Sequence, residues 1–330
     1  MKHYKQLVSV ARHPALTGKY RIPTAPILSF MDEIGDWINN RYPGGIVIGL
    51  QRHGKSSAIE YIKNNLSDEL GREVASFSFE CKKHQRPNEG RFYEDMLIQL
   101  KHKLPSAGSP SRKRARLVEY IVERANIVDG VLVIILDEAQ KMDLSYYEFL
   151  ADFHNDIVRD GFSPLFVLVG QPELINMRSS LRNAKKGQII GRFMLCEHYF
   201  HGLTDIVSVR AALNAYDEQT EYPEKSSCSY TRFFFPEAFD AGWRLANEAV
   251  NIKNCFETLR IEHDLQISDD IPMQYFCTAI ENFFRKYHLE DDPEFKGTEA
   301  IWKALIGKSG YVAAGAEMHQ SDESTAQGDA

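Results

Sequence analysis

The stretch GLQRHGKSS, Gly49 to Ser57, holds the residue types that grip a phosphate. Two glycines separated by four residues let backbone N–H groups turn toward an anion, and a lysine and a serine follow the second. In such a loop Lys55 bridges the β- and γ-phosphates and the Ser56 hydroxyl binds Mg²⁺. Leu50, Gln51, Arg52, His53, Gly54 and Ser57 complete the cradle. The flanks suit the chemistry, since an apolar strand, IVIG, precedes the loop and a helix begins at the lysine.

A second element follows in VLVIILDE, where Asp137 and Glu138 end an uninterrupted apolar run. Such a run marks a strand buried on both faces, and ligands of open α/β sheets bind at the carboxyl ends of strands. Asp137 is placed to hold the magnesium shell and Glu138 to polarise an attacking water. Elsewhere an acidic pair in this place is a helix N-cap; after a phosphate loop, hydrolysis is the better reading. A third element is LFVLVGQPEL, where a strand ends at Gly170 and puts Gln171 in reach of a γ-phosphate. The cofactors expected are therefore ATP and Mg²⁺. A carboxylate dedicated to water favours an ATPase over a kinase.

These residues need a sheet to position them. Hydrophobic residues make up 43% and charged residues 26% of the 330, as in a soluble globular protein. The length calls for an α/β domain and a smaller partner. Strands expected at IVIG, VASFSFEC (74–81), VLVIIL (131–136), LFVLVG (165–170) and RFMLCEHYF (192–200) alternate with helices. Among those helices are ILSFMDEIGDWI, KSSAIEYIKNNL, FYEDMLIQLKHKL and RKRARLVEYIVERAN. The alternation predicts a parallel five-stranded sheet with crossover helices. Beyond 201 the texture becomes helical throughout: DIVSVRAALNAY, PEAFDAGWRLANEAV, KNCFETLRIEH and PMQYFCTAIENFFRKYH. The expected division is an N-terminal segment with one helix (1–43), a P-loop core (44–201), a helical lid with C-terminal helices (202–310) and a disordered polar tail (311–330).

Five scattered cysteines without a C-x-x-C pair suggest reduced thiols, and no run reaches the length of a membrane span. Both point to a cytoplasmic protein with no membrane partner. Cys196, His198 and His201 could be read as a metal cluster, but they lie along a strand without a second ligand pair, which argues against zinc.

The three motifs GLQRHGKSS, VLVIILDEAQ and LFVLVGQPEL, in this order, resemble those of AAA+ ATPases over residues 20 to 265. Within that class the chain is similar to the TnsC/TniB/MuB-like transposition regulators, above all the TnsC of CRISPR-associated transposons. The resemblance implies a helical lid, assembly into a ring or helical filament on duplex DNA, and a role linking a target selector to a transposase. It makes Gln171 the sensor-1 residue, Arg192 the arginine finger that acts on a neighbouring subunit, with Arg182 as second choice, and Lys253 the sensor-2 equivalent. A lysine at 253 departs from the family's arginine and cannot make its planar bidentate contact. The other classes weighed are an ExeA-like secretion-type ATPase, a small-molecule phosphotransferase and an ATP-binding scaffold with little turnover.

A net charge of -7 excludes a globally basic nucleic-acid binder but allows local strips. Lys82, Lys83, Arg86 and Arg91 form one strip after the second strand; Arg112, Lys113, Arg114 and Arg116 form another. Neither is interleaved with aromatics, so contact with duplex phosphates is expected rather than stacking on single strands.

Overall fold

The computed structural model describes residues 10–127, 131–265 and 268–315. The described residues divide into two compact units: a sheet unit within 29–51 and 55–200, and a helical unit within 10–28, 52–54 and 201–315.

The sheet unit holds five strands: β1 (Gly44–Ile48), β2 (Ala75–Glu80), β3 (Val131–Asp137), β4 (Ser163–Gly170) and β5 (Cys196–Tyr199). Their order is β2-β3-β4-β1-β5 and every pairing is parallel. The three inner strands are the apolar runs, and the interiors of β3 and β4 are buried residue after residue, whereas β2 at the edge alternates. The register sets Ile48 opposite Gly170 and Glu80 opposite Asp137, so the phosphate loop, the acidic pair and Gln171 all emerge from one edge of the sheet. The helix Lys55–Leu70 begins at the loop lysine and buries Ala58, Ile59, Ile62 and Leu66, which share one helix face.

Three expectations needed adjustment. The fifth strand is shorter than 192–200, because Gly187–Phe193 is helical and buries Ile189 and Phe193, four residues apart, on one helix face. The segment 236–250 is not one helix. It stops after Pro236–Asp240, turns through Gly242 at φ 101°, and resumes in a short 3₁₀ turn before the helix Ala249–Glu262. The restart is fixed by the buried Asp217 carboxylate, which accepts the N–H groups of Leu245 (3.0 Å) and Ala246 (2.9 Å). Finally, the packed chain runs past 310, since Tyr311 and Ala314 are buried; residues 316–330 of the expected tail lie outside the described residues.

In the helical unit the described N-terminal residues pack into the core. His13 is fully buried with its ring against those of Tyr222, Tyr230, Phe233 and Phe234, and burial pushes its imidazole down to about 3. Glu248 is likewise buried and satisfied, accepting from the indoles of Trp243 and Trp302, each at 3.1 Å, and from Gly297 N–H. Among the described residues no helix is long and apolar enough to cross a membrane.

Candidate functional site

At the carboxyl edge of the sheet, Lys55 is nearly buried and folded back on its own loop. Its ammonium donates to the carbonyls of Gly49 (2.6 Å) and Leu50 (2.7 Å). Burial pushes its pKa down, and the negative charges of Asp137, Glu138 and Glu173 pull it back up. Those carbonyl contacts are ones that phosphate oxygens can replace with charge-assisted bonds.

Ser56 Oγ donates to Asp137 Oδ2 at 2.7 Å, while Asp137 Oδ1 accepts the backbone N–H of Glu138 at 2.8 Å. Burial raises the Asp137 carboxyl above its ordinary range in spite of these hydrogen bonds. A hydroxyl and a carboxylate oxygen side by side form a hard-oxygen pair of the kind magnesium takes. Glu138 follows in the left-handed region, at φ 57° and ψ 34°. Its carboxylate is held by Lys141 at 3.1 Å and by the amide of Gln140 at 3.1 Å. Lys141 also reaches Glu80 at 3.8 Å. Gln171 begins where β4 ends, and its backbone N–H donates to Gln140 Oε1 at 3.2 Å. The structure thus brings Gly49, Lys55, Ser56, Asp137, Glu138 and Gln171 together. Gln140, Lys141 and Glu173 join them; sequence reasoning gave these no role, and only the glutamine's place in DEAQ hinted at one.

The crest of the loop belongs to the helical unit. Arg52 lies at φ 66° and Gly54 at φ 102°, where the absence of a side chain avoids strain. The Arg52 carbonyl accepts Gln274 N–H at 3.0 Å, and its guanidinium bonds the Tyr275 hydroxyl. His53 is buried and sits 3.2 Å from the Asp270 carboxylate. Burial alone would raise the Asp270 carboxyl; hydrogen bonds from His53, Ser268 and Gly202 N–H outweigh it and hold the group well below the usual range. In the same unit Lys253 is buried with its ammonium on Glu257, one turn further along its helix.

The arginines expected at a neighbouring subunit differ in setting. Arg192 ends the short helix Gly187–Phe193, half-buried, with Nη1 donating to the Ala151 carbonyl at 3.4 Å. Burial, helped by that guanidinium, pushes the His154 imidazole down to about 4. Arg182 is exposed at the end of the helix Glu173–Asn183.

The two basic strips also differ. In the first, Lys83, Arg86 and Arg91 are exposed, and Lys82 pairs loosely with Asp95 at 3.3 Å. In the second, only Arg112 is both exposed and on the helix surface. Lys113 is buried on Glu94; Arg114 lies among Glu89 (3.3 Å), Asp152 (3.0 Å) and Asp156 (2.9 Å); Arg116 donates to the carbonyls of Leu104 (2.7 Å) and Ala107 (3.0 Å). These last three hold helices and a loop in place, so the second strip is not the free run of charge expected from its sequence.

Residues 40–177 match the AAA domain family. Among solved structures the chain is similar to the Aeropyrum pernix ORC2 protein, solved in ADPNP–ADP complexes, with TM-score 0.59 and 12% identity over 90% of this chain and 71% of that one. The Aeropyrum pernix ORC1 protein in complex with DNA aligns at TM-score 0.42 and 12% identity over 89% of this chain and 85% of that one. Cdc6p of Pyrobaculum aerophilum aligns at TM-score 0.43 and 14% identity, covering 90% and 84%. A comparison with curated proteins gives no match. At such low identity the structural likeness is one of fold. Sheet order, phosphate loop and acidic pair together are those of the AAA+ fold.

Proposed function

We propose that this ATPase is a regulator of transposition that assembles on duplex DNA and links a target selector to a transposase. The observation that carries the nucleotide part is the Ser56–Asp137 contact beside Glu138. Ser56 and Asp137 would hold Mg²⁺, which supplies charge neutralisation at the β- and γ-phosphates. Lys55 would release its loop carbonyls to grip the same phosphates. Glu138 would then orient and deprotonate the attacking water, and Gln171 would contact the γ-phosphate. Leu50, Gln51, Arg52, His53 and Ser57 would complete the cradle. The ADPNP–ADP complexes of the Aeropyrum pernix ORC2 protein fit nucleotide binding on this fold.

The DNA part is supported by the exposed charges of Lys82, Lys83, Arg86 and Arg91 and by Arg112. One subunit offers few phosphate contacts, but an ATP-built ring or helix repeats them, and the contacts add by avidity. The transposition programme, the trans-acting finger and the sensor-2 role of Lys253 come from the resemblance of GLQRHGKSS, VLVIILDEAQ and LFVLVGQPEL to the TnsC-like group. Lys253 would have to leave Glu257 to serve. For the finger, Arg192 would have to leave Ala151, which Arg182 need not do.

The test is filter binding of duplex DNA with and without ATP and Mg²⁺ at two salt concentrations, alongside electron microscopy of the same samples. ATP-dependent, salt-sensitive binding with ordered oligomers is expected. Equal affinity with and without ATP would overturn the DNA-assembly reading while leaving the ATPase intact.

A further inference from the structure

Gln140 lies at the centre of the site, with a role that phosphate-loop chemistry does not assign. Its Nε2 donates to Glu138 Oε2 at 3.1 Å, and its Oε1 accepts Gln171 N–H at 3.2 Å. One side chain thereby joins the ends of β3 and β4, which are neighbours in the sheet. The two contacts use one donor and one acceptor of the amide. A flipped amide would set oxygen against carboxylate and NH₂ against N–H, so the orientation is fixed by its partners.

Two further observations agree. A Cβ at position 170 would stand 2.5 Å from Gln140 Oε1 and 2.8 Å from Leu174 Cδ1, so the glycine there makes room for the amide. Glu138 itself holds a left-handed backbone that residues other than glycine seldom adopt, and such conformations persist where surrounding contacts enforce them. Lys141 also holds Glu138, but an ammonium on a flexible stem supplies charge more than direction.

We propose that Gln140 is a positioning residue for hydrolysis, orienting the Glu138 carboxylate and tying that orientation to the Gln171 end of β4. The proposal rests on Glu138 being the base. In the step concerned, Glu138 takes a proton from water as its oxygen bonds the γ-phosphorus. The bond from that phosphorus to the β–γ bridging oxygen breaks, and ADP leaves with the electron pair. Gln140 exchanges no proton and changes only where the carboxylate points.

The experiment compares the full-length protein with Gln140→Met, which keeps length but not hydrogen bonding, and with Gly170→Ala, which displaces the same amide by sterics. ATP Kd, KM, kcat and Tm are measured for each. The expected result for both is a kcat about tenfold lower or worse, with Kd and KM within about twofold; Tm stays nearly unchanged in Gln140→Met and falls in Gly170→Ala, whose added methyl also presses on buried Leu174. In a Glu138→Gln background, Gln140→Met should cause no further loss in single-turnover hydrolysis. An unchanged or raised kcat in Gln140→Met, a parallel loss of ATP affinity, or an equal further loss behind Glu138→Gln would overturn the proposal. The two readings separate cleanly: Glu138→Gln that hydrolyses at the wild-type rate removes the base itself, whereas an inactive Glu138→Gln beside a fully active Gln140→Met removes only the role of Gln140.

Discussion

Two groups of charge in the sheet unit look alike on paper and differ in what their partners can do. At the carboxyl edge, Lys55 rests on loop carbonyls and Ser56 on Asp137, contacts that a magnesium nucleotide can take over. Between the helices Glu89–Gln99 and Pro110–Ile127, Lys113 rests on Glu94 and Arg114 on Glu89, with Asp152 and Asp156 added from the helix Leu144–Arg159. No ligand is needed there, because fixed carboxylates already answer these cations. A charge is available for function when its present partner is replaceable, whatever its neighbours in the sequence.

The largest effect should come from the first group. Lys55→Ala is expected to weaken ATP binding about 100-fold or more by calorimetry, because charge-assisted phosphate contacts vanish with no substitute. Near-normal affinity would place Lys55 with the structural charges instead.

Next come the exposed charges of the first strip. Replacing Lys82, Lys83, Arg86 and Arg91 together by alanine should cost about 10- to 100-fold in duplex affinity and flatten its salt dependence. ATP affinity should stay unchanged in the same protein, since the strip takes no part in gripping the nucleotide.

Lys113→Met should behave in the opposite way. A drop of about 1–3 kcal/mol in stability, read as a Tm lower by several degrees, is expected from leaving Glu94 partly buried without its cation. DNA affinity should hold; a loss there with Tm intact would erase the distinction between the two groups.

The smallest effect sharpens the comparison most. Burial raises the Asp137 pKa in the folded protein. The folded state therefore binds this proton more tightly than the unfolded chain, so the contribution is favourable at low pH and is lost as pH rises through the folded value. At neutral pH the ionised carboxylate opposes folding in the absence of metal. Asp137→Asn should thus raise the Tm of the nucleotide-free protein by a degree or two while losing magnesium-dependent stabilisation by ATP. A lower Tm would make Asp137 a structural charge like Lys113.

Much of the sheet was legible because its signals are local. Inner strands are apolar runs, and the motif residues sit at their ends, so topology brings Lys55, Ser56, Asp137, Glu138 and Gln171 to one edge. What was illegible depends on contacts far apart in sequence. The sequence shows four basic residues at 112–116 but not that Glu94 and Asp156 answer two of them. It shows DEAQ but not that Gly170 clears space for the glutamine. The broken helix after Asp240 likewise depends on Asp217, whose carboxylate offers a better start at Leu245 than a continuous helix would have.

The helical unit draws on residues 10–28, on Arg52 to Gly54 and on the described residues after 200. His13 waits for Tyr222 to Phe234, and His53 waits for Asp270. On the ribosome, then, the sheet unit can close once residue 200 has emerged, whereas the contacts of Arg52 and His53 within the helical unit wait for residues 270 to 275. Domains form as units during synthesis, from the N-terminus onward. The nascent chain would pass through an interval with a finished sheet and a helical unit whose His13 and Arg52 to Gly54 still await their later partners. Nucleotide affinity should therefore arrive late in translation, as one of the last properties the growing chain acquires.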